Sequence, residues 1–187
     1  MSEAPLSPIA ATQAWLERAV IGLNLCPFAK GVHSKGRIRW VQSPATTPEA
    51  LRAELVAELQ GLAAADEDDI ETTLLVHPQV LQDFRAFNDF LALADLTLVE
   101  LGLEGTLQIA SFHPHYRFAG TRASDISNAT NRSPYPTLHL LRESSIERAV
   151  ASTPDAEAIF GRNIETLRSL GHAGWRRLMA GLYRQAE

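Results

Sequence analysis

"IASFHPHYRFAGTRASDISNATNRSPYPTLHLL" (109–141) starts and finishes as a β-strand, and the reading of its middle decides the fold. If the apolar ends are neighbouring strands, the residues between them leave a sheet and return to it. From Pro114 to Pro136 that connection is 23 residues long and carries no helical pattern. Loops of this length are uncommon in compact domains, and those that persist are usually functional or disordered. Tyr116, Phe118, Ile126 and Tyr135 give this one apolar anchors, and Pro134 and Pro136 stiffen its exit, so it reads as ordered. If the last strand returns antiparallel beside the one that ends at His113, Asn131, Arg132 and Ser133 come back to the rim that holds His113.

Working outward, three Ser/Thr-Pro pairs announce helices: Ser7-Pro8, Thr47-Pro48 and Thr153-Pro154. The hydroxyl caps free backbone N–H groups, and proline at the first helical position forfeits no hydrogen bond. Helices are expected over 8–22, 48–64, 78–101, from Ser144 with a capping box to Glu147, and over 154–170 and 172–184 either side of Gly171. Strands are expected at 36–42, 70–77, 106–113 and 136–142. Strands alternating with helices predict a single-domain α/β sandwich over 1–187 with a roughly four-stranded, mostly parallel sheet and about six helices. Residues 1–7 are expected to be a flexible lead-in.

Composition is that of an ordinary globular chain, with a formal charge of −5 and a pI near 5.7. No basic face is available for nucleic acid or an anionic membrane. The most apolar long stretch, near 84–103, carries Arg85, Asn88, Asp89, Asp95 and Glu100 and is too polar to span a bilayer. A start without a signal-peptide pattern and a single cysteine predict a cytoplasmic protein. Cys26, between a helix end and a proline, has no motif histidine beside it and reads as a small buried hydrophobe.

Two strands end alike, in "LLVHP" at His77 and "ASFHP" at His113. Ligands of open α/β sheets bind beyond the carboxyl ends of strands, so parallel strands would put both imidazoles on one rim. His-Pro also serves merely to punctuate a turn, which is the simpler reading for His77. Between Ser111 and Arg142 stand Arg117, Arg122, Arg132 and Arg142 against Asp125 alone, a basic segment in an acidic chain. Guanidinium groups suit carboxylate or phosphate, so a small anionic partner is expected.

The segment therefore predicts a small-molecule enzyme. His113 would be the acid or base, with Asp125 and His139 completing the catalytic set. Arg117, Asn128, Asn131, Arg132, Tyr135 and His77 would bind the substrate. No nucleotide-binding or other cofactor motif is present. A divalent metal such as zinc is an alternative, through His113, residue 115, Asp125 or His139, but the sequence guarantees only two converging ligands. His139 alternates with Leu138 and Leu140, so it also reads as facing the second side of the sheet. A non-catalytic anion- or partner-binding module is the remaining alternative.

"WLERAVIGLNLCPFAK", "TTLLVHPQVLQDFRAFNDFL", "ASFHPHYRFAG", "TNRSPYPTLHLLRE" and "RNIETLRSLGHAGWRRL" together resemble domain-of-unknown-function family 1415. The resemblance runs from Trp15 to Leu178 and implies a bacterial single-domain protein, with no role to carry over to any residue. It departs at His115, where the family pattern more often reads Asp.

Overall fold

The computed structural model describes residues 6–153 and 155–183. Most of the expected lead-in, residues 1–5, lies outside them, as does Pro154. Ser7 is described, and it caps helix α1, Pro8–Trp15, its hydroxyl accepting from the N–H of Ala10 at 3.2 Å. The chain continues through a π-helical turn, Leu16–Ile21, into a short helix α2, Ala29–Ser34, which the sequence pattern did not announce. Strand β1 (Ile38–Gln42) follows, then α3 (Pro48–Ala64), capped by Thr47 as the Thr-Pro pair predicts.

Strand β2 (Thr72–Val76) leads to α4 (Phe84–Glu100). The helix expected from residue 78 starts later, because a turn intervenes and Asp83 supplies the cap, accepting from Ala86 N–H at 2.9 Å. After β3 (Leu107–Phe112) the long connection holds one short 3₁₀ turn, Ile126–Asn131. Strand β4 (Thr137–Arg142) runs directly into α5 (Glu143–Ala151). The capping box expected at Ser144 does not form, since the Ser144 hydroxyl bonds to Glu67 at 2.9 Å instead. A 3₁₀ turn at Ala156–Ala158 precedes α6, Ile159–Leu178, which is two helical segments meeting at a kink, separated as expected by the non-helical Gly171 at φ 66° and ψ 173°.

The sheet has the order β1-β2-β4-β3. Only β1 and β2 pair in parallel; β4 lies antiparallel to both β2 and β3. The expected mostly parallel sheet is thus corrected to a mixed one. The reason lies in the connection between β3 and β4: parallel neighbours need a covering crossover, usually a helix, whereas an antiparallel return needs only a loop. β1, β2 and β3 still point the same way, so His77 and His113 do share a rim, with the start of β4 between them.

Alternation assigns the two faces. Leu75, Leu138 and Leu140 point to the side packed by α3 and α4, where they join Leu51, Leu55, Leu59 and Leu62 of α3 and Phe87 of α4. Each such leucine contributes about 1.5–3 kcal/mol by leaving water. The second face carries Ile38, Trp40 and Phe112, which pack with Trp15, Leu16 and Val20 and with the α6 side of the fold. Register places Leu74 opposite His139, and His139 opposite Ala110, on this same face. No helix among the described residues is long and apolar enough to cross a membrane.

Candidate functional site: a cleft on the second face of the sheet

The strand-end histidines are buried, and the hydrogen bonds that hold them go to backbone. His77 Nδ1 donates to the carbonyl of Val80 at 3.0 Å. His113 Nε2 donates to the carbonyl of Leu81 at 3.2 Å, while its Nδ1 accepts from the N–H of His115 at 3.0 Å. Leu81 sits at φ 57°, in the left-handed region that a branched side chain rarely enters. The two imidazoles thus hold consecutive carbonyls of the strained turn that launches α4. Both are fully buried, and burial lowers the pKa of each to about 4. Both nitrogens of His113 are occupied by backbone, and neither is left for a ligand.

The rest of the connection is organised the same way. Asn128 accepts from Phe118 N–H and the Thr121 hydroxyl, and donates to the Arg122 carbonyl at 2.9 Å. Asn131 donates to Ser111 O. Asp125 caps the 3₁₀ turn by accepting from Ser127 N–H at 3.0 Å, and this bond, foremost among its interactions, lowers its pKa. Arg132 donates to the carbonyls of Tyr116 and Ala123, at 3.1 and 2.7 Å. Tyr135, half-buried at the exit, receives the Ser133 and Thr137 hydroxyls on its carbonyl. Arg142 is buried and donates to the carbonyls of Leu62, Ala65 and Ile70, closing the end of α3. Of the four arginines behind the expected basic rim, only Arg117 and Arg122 remain at the surface without such a role.

His139 is placed differently. It lies on the second face, at the floor of a cleft of about 580 Å³. The floor is the sheet, with Thr72, Leu74, Ala110 and Phe112 around the imidazole. One wall is α1 with its π-helical turn, through Trp15, Leu16 and Val20; the others are α2, the segment from Cys26, and α5. A π-helical turn widens a helix locally and is frequent beside functional sites. Trp15 and Phe112 meet edge to face at 5.0 Å, and Phe112 lies 5.9 Å from the His139 ring.

His139 Nε2 is 2.7 Å from Thr72 Oγ1, and Thr72 Oγ1 is 2.5 Å from the Leu140 carbonyl oxygen. Two oxygens that close require a hydrogen between them, so the single Thr72 hydroxyl proton goes to Leu140. His139 Nε2 must then be the donor to Thr72. The imidazole is neutral, with its lone pair on Nδ1. That atom has no partner among the described residues and is open to the cleft. Desolvation lowers the pKa of His139 to about 4.

Cys26 is in the cleft wall, and burial pushes its thiol pKa up, so it is a neutral S–H rather than a thiolate. Among the described residues no three His, Cys, Asp or Glu side chains converge to hold a metal ion. His113, Asp125 and His139 are not brought into one constellation: the first two brace the loop, and the third belongs to the other side of the sheet. The signal for the cleft was present in the alternation of His139 between Leu138 and Leu140; what it lacked was knowledge that Thr72 and Ala110 are its neighbours.

A family model described as "Protein of unknown function (DUF1415)" matches residues 7–177 of the 187. No curated protein and no solved structure matches the chain.

Proposed function

The chain belongs to the DUF1415 family, and from that premise and the geometry of the cleft we propose that it is a small-molecule-binding protein. Its ligand would lie on the second face of the sheet and be held chiefly by apolar surface. A volume near 580 Å³ lies within the range of small-molecule sites, which are apolar concavities with a few placed polar groups. The observation that carries the reading is His139 Nδ1, an unpaired acceptor at the floor of that apolar cleft. An acceptor so placed orients a ligand without a charge having to be buried.

The expected acid–base chemistry at His113 draws no support from a ring whose two nitrogens are engaged by backbone. Catalysis at His139 is a second reading, favoured by the combination of a shifted histidine and a cleft. With a pKa of about 4 it is poorly matched to proton abstraction near neutral pH, which favours binding over turnover.

Anilinonaphthalene sulfonate, whose fluorescence rises in apolar surroundings, tests the proposal. The wild-type protein should bind it saturably at one site. Ala110→Phe, which fills the floor of the cleft, should weaken that binding at least tenfold while the far-ultraviolet circular dichroism stays unchanged. Equal binding to both proteins, or no saturable binding, overturns the proposal.

A further inference from the structure

The polar atoms around the cleft can be taken in turn, and several are already committed. Thr72 gives its proton to Leu140 O. The Ser152 hydroxyl donates to Ala149 O at 2.9 Å. Ser145 Oγ accepts from Arg148 at 3.1 Å, and Arg148 is also paired with Glu67 at 3.0 Å. Glu71 lies 4.0 Å from Arg37. Cys26 is a weak, neutral donor. Trp15 Nε1 is a buried donor without a partner, the Ser145 hydroxyl keeps its own proton, and Glu71 is too far from Arg37 for a hydrogen bond. Two further groups bear most directly on the choice of ligand. His139 Nδ1, at the floor, can only accept. Lys35, exposed in the wall just beyond α2, can only donate, and among the described residues it makes no ion pair.

These two groups ask for opposite things of one molecule. A carboxylate placed against His139 would face a lone pair across an apolar floor, with no proton between them. A hydroxyl or N–H placed there completes a hydrogen bond that is otherwise unmade. The ammonium of Lys35, in contact with water, suits an anionic group that stays partly solvated, so its attraction is modest and salt-dependent. The same cleft is lined by Leu74, Ala110, Phe112 and Trp15, which suit a flat or aromatic body.

We infer that the ligand is an amphipathic monoanion: an aromatic or compact apolar body with a hydroxyl or N–H donor directed to His139 Nδ1 and an acidic group directed to Lys35. This rests on the proposed use of the cleft and specifies the chemical class that it takes. It also assigns specificity to residues outside the polar connection at 114–136: the donor is read at the floor, and the charge is read at the mouth.

A matched set of probes separates this inference from the proposal beneath it. Hydroxynaphthoate carries the body, the donor and the acid; its methyl ether lacks the donor and its methyl ester lacks the charge. Each is titrated against bound anilinonaphthalene sulfonate. The free acid should bind about tenfold more tightly than the ether, the difference expected for one lost hydrogen bond. That difference should vanish in His139→Phe, which keeps a ring but removes the acceptor. The ester should bind a few-fold more weakly than the acid at low salt, a gap that closes in Lys35→Gln or at high salt. If all three displace the probe equally from the wild type and none does so from Ala110→Phe, the cleft stands and the assigned ligand class is overturned. If none displaces the probe, or if the ether and ester bind more tightly than the acid, the class is likewise overturned.

Discussion

His113 and Leu81 are joined by a hydrogen bond of 3.2 Å from an imidazole nitrogen to the carbonyl of a leucine held at φ 57°. A strand-end histidine therefore pins a strained residue 32 positions earlier in the chain. His113→Ala removes that donor, leaves a polar carbonyl buried and opens space beside Phe84 and Phe87. The expected cost is roughly 2–4 kcal/mol, read as a lowered urea midpoint with a folded baseline. A variant with unchanged stability contradicts the structural role assigned to this residue.

Arg132 makes the corresponding test of the loop. Its guanidinium ties Tyr116 O to Ala123 O across the connection. Arg132→Ala should speed amide exchange across 116–131 by one to two orders of magnitude, corresponding to about 1–3 kcal/mol of local stability. Exchange in β2, buried along its whole length, should be unaltered. Uniform acceleration through the sheet would show instead that Arg132 supports the global fold.

Arg142 should prove sensitive even to a change that keeps its charge. Three carbonyls at the end of α3 and in the turn after it receive one guanidinium. A cation there also opposes the partial negative charge of the helix end. Lysine has a single nitrogen and no planar fork, so Arg142→Lys leaves carbonyls unpaired, at a cost of about 1–3 kcal/mol. Thermal unfolding of the two proteins side by side measures it, and equal midpoints would contradict the assignment.

The buried histidines also set a pH dependence. His77, His113 and His139 have pKa values lowered to about 4 from 6.5, chiefly by burial. Between these values the unfolded chain binds more protons than the folded one, so stability rises with pH. Stability is complete above pH 6.5 and is lost progressively as the pH falls towards 4. For the fully buried His77 alone the loss is roughly 3 kcal/mol. Urea midpoints between pH 7 and 4 should fall steeply; a flat profile over that window contradicts neutral, buried imidazoles.

Helix starts at Ser7-Pro8 and Thr47-Pro48 were legible because capping chemistry is local. So were the four strands and the shared rim of His77 and His113. The direction of β4 was not read in the fold class, although the helix-free connection before it contained the answer. Residue types at 113–132 looked catalytic for a physical reason: histidine, arginine, asparagine and aspartate are also the side chains best able to satisfy the backbone of a long ordered loop. Sequence cannot distinguish a guanidinium bonded to Tyr116 O and Ala123 O from one that awaits a substrate. The cleft draws Trp15, Cys26, Lys35, Thr72, Ala110 and His139 from separate segments, and no local pattern joins them.

The most direct measurement follows the histidine side chains by nitrogen-labelled NMR while hydroxynaphthoate is added. His139 should show its proton on Nε2 in the free protein, and its Nδ1 resonance should move on titration together with the Trp15 indole, while His113 and the amides of 114–136 stay still. A His139 protonated on Nδ1, or shifts confined to His113 and the connection with His139 unmoved, would place the ligand at the rim and contradict the account.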